Sequence, residues 1–458
     1  MLTNSGYLKL WQWLPYTSFM IKLALTTMRG PLLLAVLSIK SSYSREVETA
    51  LGAAGPRTRI AFILLLTVGT HSACARPQQR LSDPAARQTI SASSAEKSAH
   101  PGYAGEDVCY SCHQDKFQTF PLTAHHRTSQ LPSADSIAGK FTPPDNTMKT
   151  VNPGLYFRMD AKDGGFYQTA VFGEPPHTKE HSAMFGIVIG SGGKGQTYLY
   201  WKGDELFQLP VSYWTPLGQW VNSPGYLDGE ANFDRPVPPR CVECHATYFR
   251  SLASSRLMNR FDRTDFVVGI SCERCHGAGQ EHASRHSSQA GATAGEAIAN
   301  PTKFSRDRQI EVCAQCHGGF GEEIAPAFSF KPGEPLANFI KLQQPAPGAS
   351  VDVHGNQVAL LARSRCFQSS VTMTCSTCHD EHAPERTAAT YSSRCLTCHE
   401  PAKCGVYSKL GAQIANNCID CHMPVQQSKA IVSDVNGTDV NANVRNHWIK
   451  VYDRVPLQ

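Results

Sequence analysis

The chain has 458 residues, 41% of them hydrophobic, with a mean hydropathy of −0.30 and a formal net charge of +5. Seven of the 43 Lys/Arg and two of the 38 Asp/Glu fall within residues 1–73, so the remainder holds 36 of each and is neutral. The basic excess therefore belongs to one terminal segment, no basic stripe remains, and nucleic acid is excluded as an expected partner.

That segment reads as an export leader over residues 1–75. "GPRTRIAFILLLTVGTHSACARP" sets Arg57 and Arg59 before an apolar run from Ile60 to Val68 and a stretch of small residues, the order of an export signal. The run is too short to span a bilayer. It lies behind a second apolar patch, Leu32 to Ile39, which is compatible with a true start downstream of Met1. Ala73-Cys74-Ala75 fits an A-x-A cleavage site, whereas Ser72-Ala73-Cys74 partly matches a lipid-attachment site with His71 in the place of a Leu-like residue. A soluble form and one lipid-anchored at Cys74 both stay open, and either places the protein in the periplasm or another extracytoplasmic space. Residues 76–102 are small and polar and read as a flexible linker.

Residues 103–140 carry the pattern Cys109, Cys112, His113. Residues 141–235 lack cysteine altogether. There, "GLYFRMDAKDGGFYQTAVFG" and "GQTYLYWKGDELFQLPVSYW" alternate apolar and polar residues around Asp-Gly-Gly and Lys-Gly-Asp turns, which predicts a small β-rich insertion built from two hairpins. From 236 to 458 the Cys-x-x-Cys-His pattern recurs six times, at Cys241, Cys244, His245; Cys272, Cys275, His276; Cys313, Cys316, His317; Cys375, Cys378, His379; Cys395, Cys398, His399; and Cys418, Cys421, His422.

On one helical turn the two thiols lie at i and i+3 and the imidazole at i+4, all on one face. Such a face suits haem, whose two vinyl groups take the thiols as thioethers while the iron takes the imidazole. At this composition chance would give roughly 0.02 such patterns per chain. Structural zinc also uses Cys-x-x-Cys pairs, but it pairs them with each other or with distant histidines and gives no reason for a His after every second Cys. The expected cofactors are seven covalent haems c.

Three haem sites between Cys375 and Cys421 leave too little polypeptide to wrap each separately, so haem must pack on haem and supply much of the apolar interior. The expected fold is mainly α with extensive coil, interrupted by the β-rich insertion between the first two motifs. Ten histidines outside the leader are not part of a motif. His282 follows His276 by six residues and His382 follows His379 by three, too close to reach round the same macrocycle, so each is expected to ligate a neighbouring haem. His354, His447 and one of His125 and His126 join them as distal candidates, whereas His177 and His286 read as surface residues.

"YAGEDVCYSCHQDKFQTFPLTAHH", "GISCERCHGAGQEH", "RSRCFQSSVTMTCSTCHDEH" and "NNCIDCHMP" resemble the exported multihaem cytochromes related to the tetrahaem electron carrier of ammonia oxidisers and, more distantly, to hydroxylamine oxidoreductase and pentahaem nitrite reductase. The resemblance runs from about Tyr103 to His447. It implies bis-histidine haems in stacked and perpendicular pairs, with His282, His382 and one of His125 and His126 as distal ligands. No motif carries Lys in place of the proximal His, as in the nitrite reductase. Nothing matches the cross-linking Tyr segment of hydroxylamine oxidoreductase.

The favoured function is therefore an electron carrier that exchanges electrons with redox partner proteins or quinol-linked membrane complexes, with no catalytic residue assigned. One alternative is a reductase or oxidase of a small nitrogen or sulfur compound at one open haem face. Another is a haem-stabilised binding module whose insertion recognises a partner. Cys366 and Cys404 are left over in an oxidising compartment and are expected to form a disulfide.

Overall fold

The computed structural model describes residues 102–452, apart from 253–257, 289–294, 296, 347, 385–386 and 436. The leader, nearly all of the linker, Cys74 and His100 lie outside the described residues.

The stretch after the first motif is larger than two hairpins. Strands β2 (Thr147–Lys149), β3 (Leu155–Lys162), β4 (Gly165–Phe172) and β5 (Lys179–Met184) form an antiparallel four-stranded sheet in sequential order. A seven-stranded sheet takes β1 (Ser129–Gln130), β6 (Ile187–Ile189), β7 (Gly195–Lys202), β8 (Glu205–Gln208) and β11 (Arg235–Pro236). In it β9 (Val211–Trp214) pairs with β7, and β10 (Gln219–Asn222) with β9. The β3–β4 turn is the predicted Asp-Gly pair. Asp163 and Gly164 both take positive φ, 51° and 74°, the conformation that lets a two-residue loop follow the right-handed strand twist.

Strand periodicity gives the seven-stranded sheet two buried faces. Val188, Tyr198, Tyr200 and Phe207 point one way, into a core shared with Leu155, Phe157 and Met159 of the four-stranded sheet. Their neighbours Ile187, Leu199 and Leu206 point the other way, onto the hairpin of β12 (Ala246–Ser251) and β13 (Phe261–Val268) through Phe249 and Phe261. The fully buried Gln168 ties the sheets together, its amide donating to Val211 O at 3.0 Å and accepting from Val211 N at 2.9 Å. Two bonds to backbone satisfy it and offset the cost of its burial.

The expectation of a mainly α fold is overturned: strand is as abundant as helix, and the strands run on past the insertion. After β12–β13 come β14 (Gly321–Glu323) with β15 (Ile340–Leu342), and β16 (Val425–Val435) with β17 (Thr438–Arg445). Helices stay short. The longest among the described residues, Arg306–His317, has 12 residues and ends in the fourth motif, whereas Cys272–His276 and Ile419–His422 supply a single turn each. One turn suffices to present two thiols and an imidazole, and nothing in the motif extends it.

Candidate haem-binding site

In each motif the turn is closed by the backbone. His113 N, His379 N, His399 N and His422 N each donate to the carbonyl of the first cysteine of their own motif, at 2.9, 3.0, 3.0 and 3.1 Å. In these four motifs the i to i+4 bond puts both thiols and the imidazole on one face, whereas in the second His245 N donates to Val242 O at 3.0 Å. All fourteen motif cysteines and all seven motif histidines line one continuous cavity of about 3830 Å³. A ligand of haem size fills a pocket of roughly 500 Å³, so the space accommodates several macrocycles side by side and the residues fit the group.

Several imidazoles are fixed at Nδ1. His276 Nδ1 meets Ala299 O at 2.9 Å, His422 Nδ1 meets Lys450 O at 2.9 Å and His447 Nδ1 meets Arg445 O at 3.1 Å. His245 Nδ1 lies 3.1 Å from Thr128 Oγ1, and His317 Nδ1 lies 3.3 Å from Gln357 Oε1. Donation from Nδ1 leaves Nε2 with its lone pair, the tautomer a metal takes. Burial, reinforced by neighbouring imidazoles, pushes His245, His317 and His447 down to about 4, so these rings are neutral in the folded chain.

Histidines far apart in sequence meet as pairs. The ring centroids of His276 and His382 are 6.0 Å apart with planes at 25°, those of His379 and His447 are 6.2 Å apart at 20°, and those of His125 and His317 are 6.0 Å apart at 79°. Two imidazoles on opposite sides of one metal, with metal–nitrogen bonds of about 2 Å, hold their centroids roughly 6 Å apart. His382 therefore faces His276 of another motif, not His379. His354 and His282 also line the cavity. His354 lies within electrostatic reach of His245, and the helix of His282, Gln280–Ser288, starts beside the segment leading into Cys109, with Gln280 N donating to Gly102 O at 2.9 Å.

His126 does not line the cavity. Its Nε2 lies 3.1 Å from Glu106 Oε2, so only its neighbour His125 points to a motif histidine. His177 and His181 are exposed and away from the cavity. His286, read as a surface residue, is exposed yet also lines it, with its ring 4.5 Å from that of His282.

The motifs touch through their cysteines. Cys109 contacts Cys272, Cys244 contacts Cys316, and Cys313 contacts Cys375. Cys395 lies within electrostatic reach of both Cys378 and Cys418. The expected disulfide is not formed: Cys366 and Cys404 are half-buried free thiols on the cavity wall. Cys366 lies within electrostatic reach of Cys378 and Cys395, and Cys404 within reach of Cys421. Oxidising compartment and even number carried no information about distance.

Sequence reading also missed a group of spacer residues. Glu243, Arg274 and Gln315, each the residue before the second cysteine of its motif, converge and are buried. Nothing within one motif reports on the spacers of another, so their convergence is invisible in the sequence.

Residues 226–277, which contain the second and third motifs, match the family described as cytochrome c554 and c-prime. The match supports a multihaem c-type cytochrome with covalent haem and an electron-transfer role. No curated protein matches the chain. Among solved structures, the crystal structure of the outer cell wall cytochrome OcwA aligns at 16% identity over 76% of this chain and 80% of that one, with a TM-score of 0.47. A likeness at that level carries neither fold nor function. Among the described residues no helix is long and apolar enough to cross a membrane.

Proposed function

We propose that the chain is an exported heptahaem c-type cytochrome that carries electrons between redox partners through closely packed, bis-histidine haems. The carrying observation is that all seven motifs line one cavity, in which three pairs of remote histidines stand about 6 Å apart. Covalent haem supplies the one-electron chemistry. The chain's own residues would hold at least five of the irons with two imidazoles each, fix the tautomer at Nδ1, and set neighbouring sites at contact distance.

In this reading His382 serves the iron at His276, His125 the iron at His317, and His447 the iron at His379. His354 is assigned to the iron at His245 and His282 to the iron at His113. The order of the array follows in this reading from cysteine contacts between the first and third, second and fourth, and fourth and fifth motifs, and from electrostatic reach between Cys275 and Cys313 and of Cys395 to Cys378 and Cys418. Export and the periplasmic or other extracytoplasmic location rest on the leader and on the attachment of haem c after export. The partners are redox proteins or quinol-linked complexes. Reductive titration of the purified holoprotein should take up about seven electrons per chain, with an absorption spectrum of low-spin haem. Uptake of one or two electrons would end this reading.

A second reading, a reductase or oxidase of a small nitrogen or sulfur compound at one open iron, is favoured by a different observation. Fourteen axial positions face thirteen cavity-lining imidazoles among the described residues. Two of these, His282 and His286, stand ring to ring at 4.5 Å, too close to bind opposite sides of one iron. A high-spin ferric signal from about one haem in seven would favour this reading; its absence would leave the carrier.

A further inference from the structure

The three converging spacer residues form a charged cluster with Arg240. Arg240 Nη1 donates to Glu243 Oε2 at 2.7 Å, and Arg274 Nη2 stands 3.5 Å from Glu243 Oε1. Phe328 N donates to Glu243 Oε1 at 2.7 Å, Arg274 Nη2 donates to Glu243 O at 3.1 Å, and Arg240 Nη2 donates to Gln315 O at 2.7 Å. The Arg274 guanidinium also lies over the Phe328 ring, 5.3 Å from its centroid. Two guanidiniums thus share one carboxylate, and the cluster keeps one net positive charge. The Glu243 and Arg274 side chains are each 4% exposed, and the Arg274 Nε has no hydrogen-bond partner.

An uncompensated buried cation is costly, and an apolar trio of the same volume would suit folding alone at least as well. The position of the charge suggests what it acts on. Both arginines line the cavity and lie within electrostatic reach of Cys244 and Cys316, whose thiols are in contact. Carboxylates stand elsewhere on the wall: Glu273 and Glu106 beside Cys109, and Glu381 beside Cys275, Cys375 and the first cysteine of the fourth motif, Cys313; within electrostatic reach of Cys244 and Cys316 both arginines of the cluster act together. Reduction adds one electron to a haem. A buried cation stabilises the reduced form, a nearby carboxylate stabilises the oxidised one, and neither is screened by salt as a surface charge is.

We propose that the Arg240–Glu243–Arg274 cluster makes the haems attached at Cys244 and Cys316 the highest-potential pair of the array, so that electrons collect there. This rests on the haem reading above and goes beyond it: it names the residues that give the array a direction. They are positioning residues in that they set the energy of a site without touching a redox partner.

The test is potentiometric titration of the holoprotein carrying Arg274→Gln, Arg240→Gln or Glu243→Gln, after intact mass has established the haem count of each. Either arginine change should move the highest-potential equivalents, about two of about seven, to lower potential. Glu243→Gln, which keeps an acceptor for Phe328 N, should move the same equivalents to higher potential, and the low-potential equivalents should stay in place. Shifts of the same sign from the arginine and glutamate variants, no shift, or a shift confined to the low-potential equivalents would overturn the proposal. Loss of structure alone does not produce opposite signs. An unmodified chain without seven haem masses would instead defeat the haem reading before any titration.

Discussion

The His276 and His382 rings face each other across 6.0 Å of the cavity with planes at 25°, although 105 residues separate them in sequence. His382 is held there from its backbone: its carbonyl accepts from Thr119 Oγ1 at 2.6 Å and its N–H donates to Asp380 Oδ1 at 3.1 Å. His382→Ala is expected to turn the haem at Cys272 and Cys275 high-spin and to leave the haem at His379 six-coordinate, with haem content unchanged. Absorption and EPR spectra of the variant check this. Loss of the ligand at His379 instead would refute cross-ligation.

Ring orientation should also be visible without mutation. The pairs His276/His382 and His379/His447 are near-parallel, at 25° and 20°, whereas His125/His317 is near-perpendicular at 79°. Parallel axial imidazoles give rhombic low-spin ferric signals, and perpendicular ones give the strongly anisotropic large-g type. Low-temperature EPR should contain both classes, and His125→Ala should remove intensity from the large-g class alone. A decrease in the rhombic class would show the pairing to be wrong.

The motif residues were legible because covalent attachment fixes their spacing locally. The partners were not, because a distal histidine is chosen by tertiary geometry. His125 and His126 are adjacent and chemically identical, and only the Glu106 carboxylate drawing off His126 separates them. The Asp163-Gly164 turn was readable from two residues, whereas β16 and β17 were not. Their sequences, "VQQSKAIVSDV" and "TDVNANVR", are rich in polar residues, and their faces are mostly exposed or half-buried, so the alternation that marks a strand against a core is missing. The mainly α expectation failed for that reason, and the disulfide failed because spacing does not report distance.

Glu273 should matter for stability more than for haem chemistry. Buried at 4% exposure, its carboxylate accepts from Ala104 N at 2.8 Å, Gly105 N at 3.2 Å and Gly279 N at 2.9 Å, joining the approach to the first motif to the loop after the third. Glu273→Ala orphans three donors and is expected to cost about 3 kcal/mol while haem attachment persists. Denaturant unfolding followed by circular dichroism measures the loss, and a change below about 0.5 kcal/mol would mean the three bonds are replaced by water.

Cys366 and Cys404 should behave as independent thiols. The double variant Cys366→Ser, Cys404→Ser is expected to keep every haem and to change unfolding stability by less than about 1 kcal/mol, well under the 2 to 4 kcal/mol of a typical lost disulfide. Alkylation of the unreduced parent, followed by peptide mapping, should find both modified. Recovery of a peptide linking them would contradict the structure.

Intact-mass measurement of the purified exported protein tests the array most directly. A chain beginning near Cys74 and carrying seven haem masses that persist under denaturing conditions is the expected result. Fewer than seven covalent haems, or zinc released from the same cysteines on denaturation, would contradict it.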